Sequence, residues 1–210
     1  MFFSPTLLAL SATNDVGVLC LSSGDADGLG TIRKSELIES CRRLGVDRVR
    51  VIEHPFVAPV VFVCVVANSD LHRELQDSMT KKWPAARVAE FCEANMEGVE
   101  VLITFDEGGV SGHPNHISLL HGAREFVKGR GVELWTLRTV GLVRKYAFVL
   151  DALWTLGGAG ERKVFVSTIE QVRTAQKAMT TAHVSQMRWF RWGWIGLSRY
   201  MVMNDLAVEG

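Results

Sequence analysis

Val99-Glu100-Val101-Leu102-Ile103 runs directly into Thr104-Phe105-Asp106-Glu107-Gly108-Gly109-Val110-Ser111-Gly112-His113-Pro114-Asn115-His116. The first five residues are apolar, short and rich in β-branched side chains, so they predict a buried strand. The glycines and Pro114 predict a strand-to-helix loop, with Pro114 at the first helical position, where its missing N–H would be unpaired anyway. His113 then stands at the helix entrance, and His116 follows on the same side of the first turn. Two imidazoles beyond the carboxyl end of a parallel strand lie where α/β proteins carry their chemistry. A His-x-x-His pair alone is equally satisfied by backbone carbonyls. Gly108, Gly109 and Gly112, which allow a ligand close to the backbone, and the Asp106 carboxylate favour a site.

On either side the pattern alternates. Val16 to Leu21, Val49 to Ile52, Val132 to Leu137 and Lys163 to Ser167 read as strands. Thr31 to Leu44 reads as an amphipathic helix closed by Gly45, and further helices are expected over 83–96, from Pro114 to about Lys128 and from Ile169 to Met179. Ser4-Pro5 predicts a helix start with Ser4 as cap. Strands alternating with helices imply an α/β layered fold with a mainly parallel sheet flanked by helices.

The chain has 210 residues and 48% hydrophobic content, enough for one domain over 1–210 with a sizeable core. Lys+Arg 23 against Asp+Glu 23 leaves no excess charge for a nucleic-acid partner. Cys20, Cys41, Cys64 and Cys92 are scattered without metal-ligand spacing, and buried free thiols in a reducing compartment are expected. The longest apolar run, Phe56 to Ala67, is shorter than the roughly 20 residues a membrane span needs. Met1 to Pro5 lacks the basic start of a signal peptide.

Gly24 to Gly30 is rich in glycine and aspartate. It fails as a dinucleotide fingerprint because Arg33 stands where the third glycine belongs. As a calcium loop it places Asp25, Asp27, Gly30 and Glu36 suitably, but Leu29 stands where an oxygen ligand is required and a strand precedes it.

Thr104 to His116, together with Leu21 to Gly30, Arg33, Lys34, Glu36 and Leu37, resembles the N-acetylglucosaminyl-phosphatidylinositol de-N-acetylases within the wider LmbE-like zinc deacetylases. The likeness continues in Leu142 to Tyr146, His183 to Gln186, Trp189 to Arg191 and Ser198 to Met201, in family order. The resemblance implies a Rossmann-like fold and hydrolytic removal of the acetyl group of a glycolipid during glycosylphosphatidylinositol-anchor synthesis. It further implies a place at the endoplasmic reticulum membrane, on its cytoplasmic face. It makes His113 the catalytic residue that stabilises the oxyanion and His116 a zinc ligand. Arg33 becomes a substrate-binding residue, and Asp106 and His183 are assigned to the substrate site. The family takes two more zinc ligands and its general base from an Ala-His-Pro-Asp-Asp-Glu segment on a first strand, which is missing here. Zinc is therefore expected to bind poorly and these 210 residues to be inactive. A soluble amidosugar deacetylase and a non-catalytic binding protein remain alternatives, and no protein partner is identifiable.

Two stretches stand apart. About Phe56 to Arg73 reads as an insert relative to the family pattern, either a membrane-dipping loop or a gene-model error such as a retained intron. The tail, about 184–203, carries Trp189, Trp192 and Trp194 with Arg188, Arg191 and Arg199, and is expected to form one amphipathic, membrane-facing helix.

Overall fold

The computed structural model describes residues 2–21, 29–51, 75, 80–157 and 162–210, and the backbone of 61–65. Seven strands form one sheet: β1 (Val16–Cys20), β2 (Arg48–Val51), β3 (Val61–Val65), β4 (Val101–Phe105), β5 (Glu133–Leu137), β6 (Lys163–Val166) and β7 (Met203–Glu209). Their order is β2-β1-β3-β4-β5-β7-β6. The pairs from β2 through β5 are all parallel, and β7 lies antiparallel between β5 and β6. The sheet is thus parallel on the side that carries the site and mixed at its far edge.

The helices are α1 (Ser4–Leu10), α2 (Gly30–Arg43), α3 (Ala85–Asn95), the irregular turn α4 (Gly109–Gly112), α5 (Pro114–Val127), α6 (Leu142–Lys145), α7 (Val149–Leu156), α8 (Ile169–Lys177) and α9 (Trp189–Leu197). β1 is buried along its whole length and β4 along most of it, as parallel strands covered on both faces must be. Leu19, Leu102, Ile103, Phe105 and Leu120 form the centre of the core. Gly45 closes α2 at φ +82°, a conformation glycine adopts without steric cost.

Four expectations change. Ser4 is the first helical residue rather than the cap, which falls on Phe3. Val61 to Val65, within the apparent insert, pairs with β1 and β4 in the interior of the sheet instead of forming a separate segment; the rest of that stretch lies outside the described residues. The tail is not one helix. α9 ends at Leu197, a short turn covers Arg199 to Met201, and β7 follows, a strand the sequence reading did not foresee. Its Met203-Asn204-Asp205-Leu206 is buried throughout, so neither a polar face nor a clean alternation announces it. Arg199, finally, is buried and ion-paired rather than part of a membrane-facing surface. Cys20, Cys41 and Cys92 are buried and unbridged, as expected.

Candidate active site

The His-bearing loop is built around Asp106. Its carboxylate accepts from the Gly108 and Gly109 N–H groups at 3.0 and 3.1 Å, from the Thr139 N–H at 2.5 Å and from the Thr139 hydroxyl. That hydroxyl in turn accepts from the Val110 N–H at 2.8 Å, while Lys145 Nζ donates to the Val110 carbonyl. Val110 is held at φ +63°, a region that penalises a β-branched residue, so its surroundings enforce the conformation. The loop then delivers Pro114 and α5.

His113 caps α5: its Nδ1 accepts from the Asn115 N–H at 3.3 Å. A nitrogen that accepts carries no proton, so the ring's N–H is on Nε2. His116 Nδ1 lies 2.9 Å from the Gly109 carbonyl and donates to it, since a carbonyl can only accept. That leaves Nε2 as the nitrogen able to ligate a metal, since a metal-binding histidine commonly donates its other N–H to a carbonyl that orients the ring. Burial lowers the His116 pKa to about 4, which keeps the ring neutral at pH 7. The two rings lie 4.8 Å apart, and His116 stacks on Phe105 at 4.0 Å.

Both imidazoles line a cavity of about 510 Å³, and α2 contributes Arg33 to the same wall. Lys145, Tyr146, Phe190, Arg191 and Trp194 reach it from α6, the residue after it, and α9. Burial and the nearby Arg33 and Arg188 charges lower the pKa of Arg191, a mark of cations crowded together. His183 also lines the cavity, but both its ring nitrogens are engaged within the protein. Gln186 donates to Nδ1 at 3.2 Å, Nε2 donates to Ser40 Oγ at 2.8 Å, and Arg191 donates to Gln186 at 3.1 Å. Burial lowers its pKa to about 3. The structure therefore brings Arg33, His113, His116 and His183 to one cavity. It does not bring Asp106 there, because that carboxylate is consumed by the loop. Lys145 and Arg191 are additions: Lys145 was signalled only by the Leu142–Tyr146 block, and Arg191 was read as part of the membrane-facing tail rather than of the site.

Among the described residues no group of three or more His, Cys, Asp or Glu side chains could hold a metal. His116 has the tautomer and charge of a zinc ligand, so these residues fit one position of a zinc site and do not complete it. Most of the Gly24–Gly30 loop lies outside the described residues.

Residues 1–127 match the family described as PIG-L, GlcNAc-PI de-N-acetylase. The N-acetylglucosaminyl-phosphatidylinositol de-N-acetylase of Arthroderma benhamiae is 35% identical over 280 residues, spanning 100% of this chain and 83% of the relative. The Bos taurus protein of that name is 36% identical over 213 residues, with 98% and 77% covered. Among solved structures, the A40926 pseudoaglycone deacetylase Dbv21 superposes with a TM-score of 0.61 at 12% identity, over 99% of this chain and 91% of that one. The zinc-inhibited form of teicoplanin deacetylase Orf2 gives 0.57 at 14% identity, over 99% and 93%. At such identities these two speak for the fold, whereas the family match and the curated relatives speak for descent. The chain belongs to the GlcNAc-PI de-N-acetylase family.

Proposed function

We propose that this cavity receives the N-acetylglucosamine head of a phosphatidylinositol glycolipid and that the acetamide C–N bond is the one hydrolysed, giving acetate and a free amine. The observation that carries this reading is the pair of imidazoles, one a hydrogen-bond donor at Nε2 and the other a neutral ligand at Nε2, on a cavity wall shared with Arg33. The family supplies the reaction. His113 Nε2–H donates to the carbonyl oxygen as it becomes an oxyanion, an interaction that strengthens in the transition state. Arg33 and Arg191 offer planar guanidinium forks to the phosphate or the sugar hydroxyls. His183 and Gln186 position Arg191 rather than touching substrate. Zinc, when bound, would acidify a water to a pKa of about 7 and polarise the amide.

A calorimetric titration with the water-soluble N-acetylglucosaminyl-phosphoinositol head tests the reading. It is expected to show saturable binding, at least tenfold tighter than for free N-acetylglucosamine; no binding of the head overturns it.

Zinc dependence, action at the cytoplasmic face of the endoplasmic reticulum and membrane contact through α9 belong to the same proposal. They are supported by the His116 tautomer, the lipid named in the relatives, and the exposed Trp189 and Trp192. Because the described residues prepare a single imidazole for zinc, which alone would hold it weakly, these 210 residues by themselves are expected to release no acetate from the glycolipid. Measured turnover by them would refute that.

A further inference from the structure

α7 is built inside out. Its sequence, Val149-Leu150-Asp151-Ala152-Leu153-Trp154-Thr155-Leu156, turns Asp151 and Thr155 inward, with Asp151 3% exposed. Leu150, Leu153 and Leu156 face solvent beside Trp154, which is 78% exposed. A surface helix ordinarily does the reverse. The inversion is fixed by charge: Asp151 pairs with Arg144 at 2.5 Å and with the buried Arg199 at 2.9 Å, and Arg144 Nη2 donates to Thr155 at 2.8 Å. Rolling α7 to hide its apolar side would take Asp151 away from the buried Arg199 guanidinium, an unfavourable change. The fold thus commits a polar anchor to holding an apolar face outward.

That face continues through α6, where Leu142 and Val143 are exposed, the latter at 85%. α6, α7 and α9 all pack on the Arg199–Met201 turn, and α9 adds exposed Trp189, Trp192 and Leu197. Both surfaces reach the cavity, for Tyr146, which follows α6, and Phe190 of α9 line it together. Lys145, Arg33 and Arg191 line it with positive charge. No helix among the described residues is long and apolar enough to cross a membrane.

We infer that Leu142–Leu156 is a docking surface for a phospholipid bilayer, which with α9 seats the cavity mouth against the lipid headgroups. Three features select lipid over a protein partner: exposed Leu142 and Val143 closely precede the cavity-lining Lys145 and Tyr146, the cavity wall carries the cations Arg33 and Arg191 to meet anionic phosphate, and Trp154, Trp189 and Trp192 are exposed, where an apolar body with a polar N–H suits the interface. The inference rests on the glycolipid reading above. A lipid whose sugar enters the cavity keeps its acyl chains in the bilayer only if the mouth lies at headgroup level.

The test is co-sedimentation of the full chain with vesicles of phosphatidylcholine containing phosphatidylinositol, for wild type and the double variant Leu150→Glu, Leu153→Glu. Both positions are exposed, so the variant is expected to melt with the wild type. Wild type is expected to partition onto vesicles and the variant at least tenfold less, while both bind the soluble sugar–phosphoinositol head equally. Equal partitioning of the two proteins overturns the inference, as does absence of wild-type binding. So does a wild-type dimer that the variant makes monomeric without change in vesicle binding, which would assign the face to a second copy. Failure of both proteins to bind the soluble head, with the vesicle difference intact, would remove the glycolipid reading and leave the docking surface standing.

Discussion

Val110 and Asp106 show how single residues set this site. A β-branched residue at φ +63° persists because its N–H is held by Thr139 and its carbonyl by Lys145. The Asp106 carboxylate locks Thr139 and the Gly108–Gly109 turn at the same time. Gly109 is needed as glycine: it has φ +53°, and a Cβ there would lie 3.1 Å from His116 Cβ. The buried rings carry a pH dependence whose sign is fixed. His116 and His183 fall to about 4 and 3 from an ordinary 6.5, so between pH 6.5 and 4 the unfolded chain binds more protons than the folded one. Stability is therefore fully present above pH 6.5 and declines as pH falls, by on the order of 2 kcal/mol per ring by pH 4.5. Urea unfolding at pH 7 and pH 4.5 is expected to show that loss, and His183→Gln to reduce it; an unchanged midpoint at the two pH values would contradict it. At this scale the sequence was partly legible. Spacing and glycines placed His113 and His116 at the loop after β4, whereas Arg33 was assigned to the site only by the family resemblance. The bonds that Asp106 makes within the loop were not legible, because a carboxylate in a polar loop looks the same whether it meets substrate or backbone N–H groups.

At the scale of elements, α3 and α5 pack closely at one point. A Cβ on Gly122 would lie 2.3 Å from Val88 Cβ, so the helix backbones approach as near as glycine allows. Gly122→Ala should force them apart at a cost of about 1–3 kcal/mol, of which better helix propensity returns about 1 kcal/mol. Thermal unfolding is expected to show a lower midpoint; a raised midpoint would mean the helices separate freely. Most elements followed from periodicity, because β1, β4 and α5 are regular and long enough for their pattern to stand out. β7 did not, since it follows a tryptophan-rich helix and a tight turn with no glycine or proline to mark the change. Nor did the inverted α7 stand out, because a sequence shows the width of an apolar stripe and not the side on which a buried Arg199 waits for Asp151.

Across the whole molecule, the loop after β4 and the helices α2, α6 and α9 contribute side chains to one cavity, while α6 and α7 carry exposed apolar residues. The α/β layering was readable from the alternation of strands and helices, whereas the antiparallel edge depends on pairing across distant segments and leaves no local trace. The account's central claim is that Arg33 and His113 meet the sugar head in this cavity. It is tested most directly by repeating the calorimetric titration with Arg33→Ala and with His113→Asn, the latter keeping a helix-capping acceptor while deleting the ring donor. At least tenfold weaker binding is expected for Arg33→Ala and a smaller loss for His113→Asn, both proteins remaining folded. Binding of the head unchanged by both substitutions would contradict it.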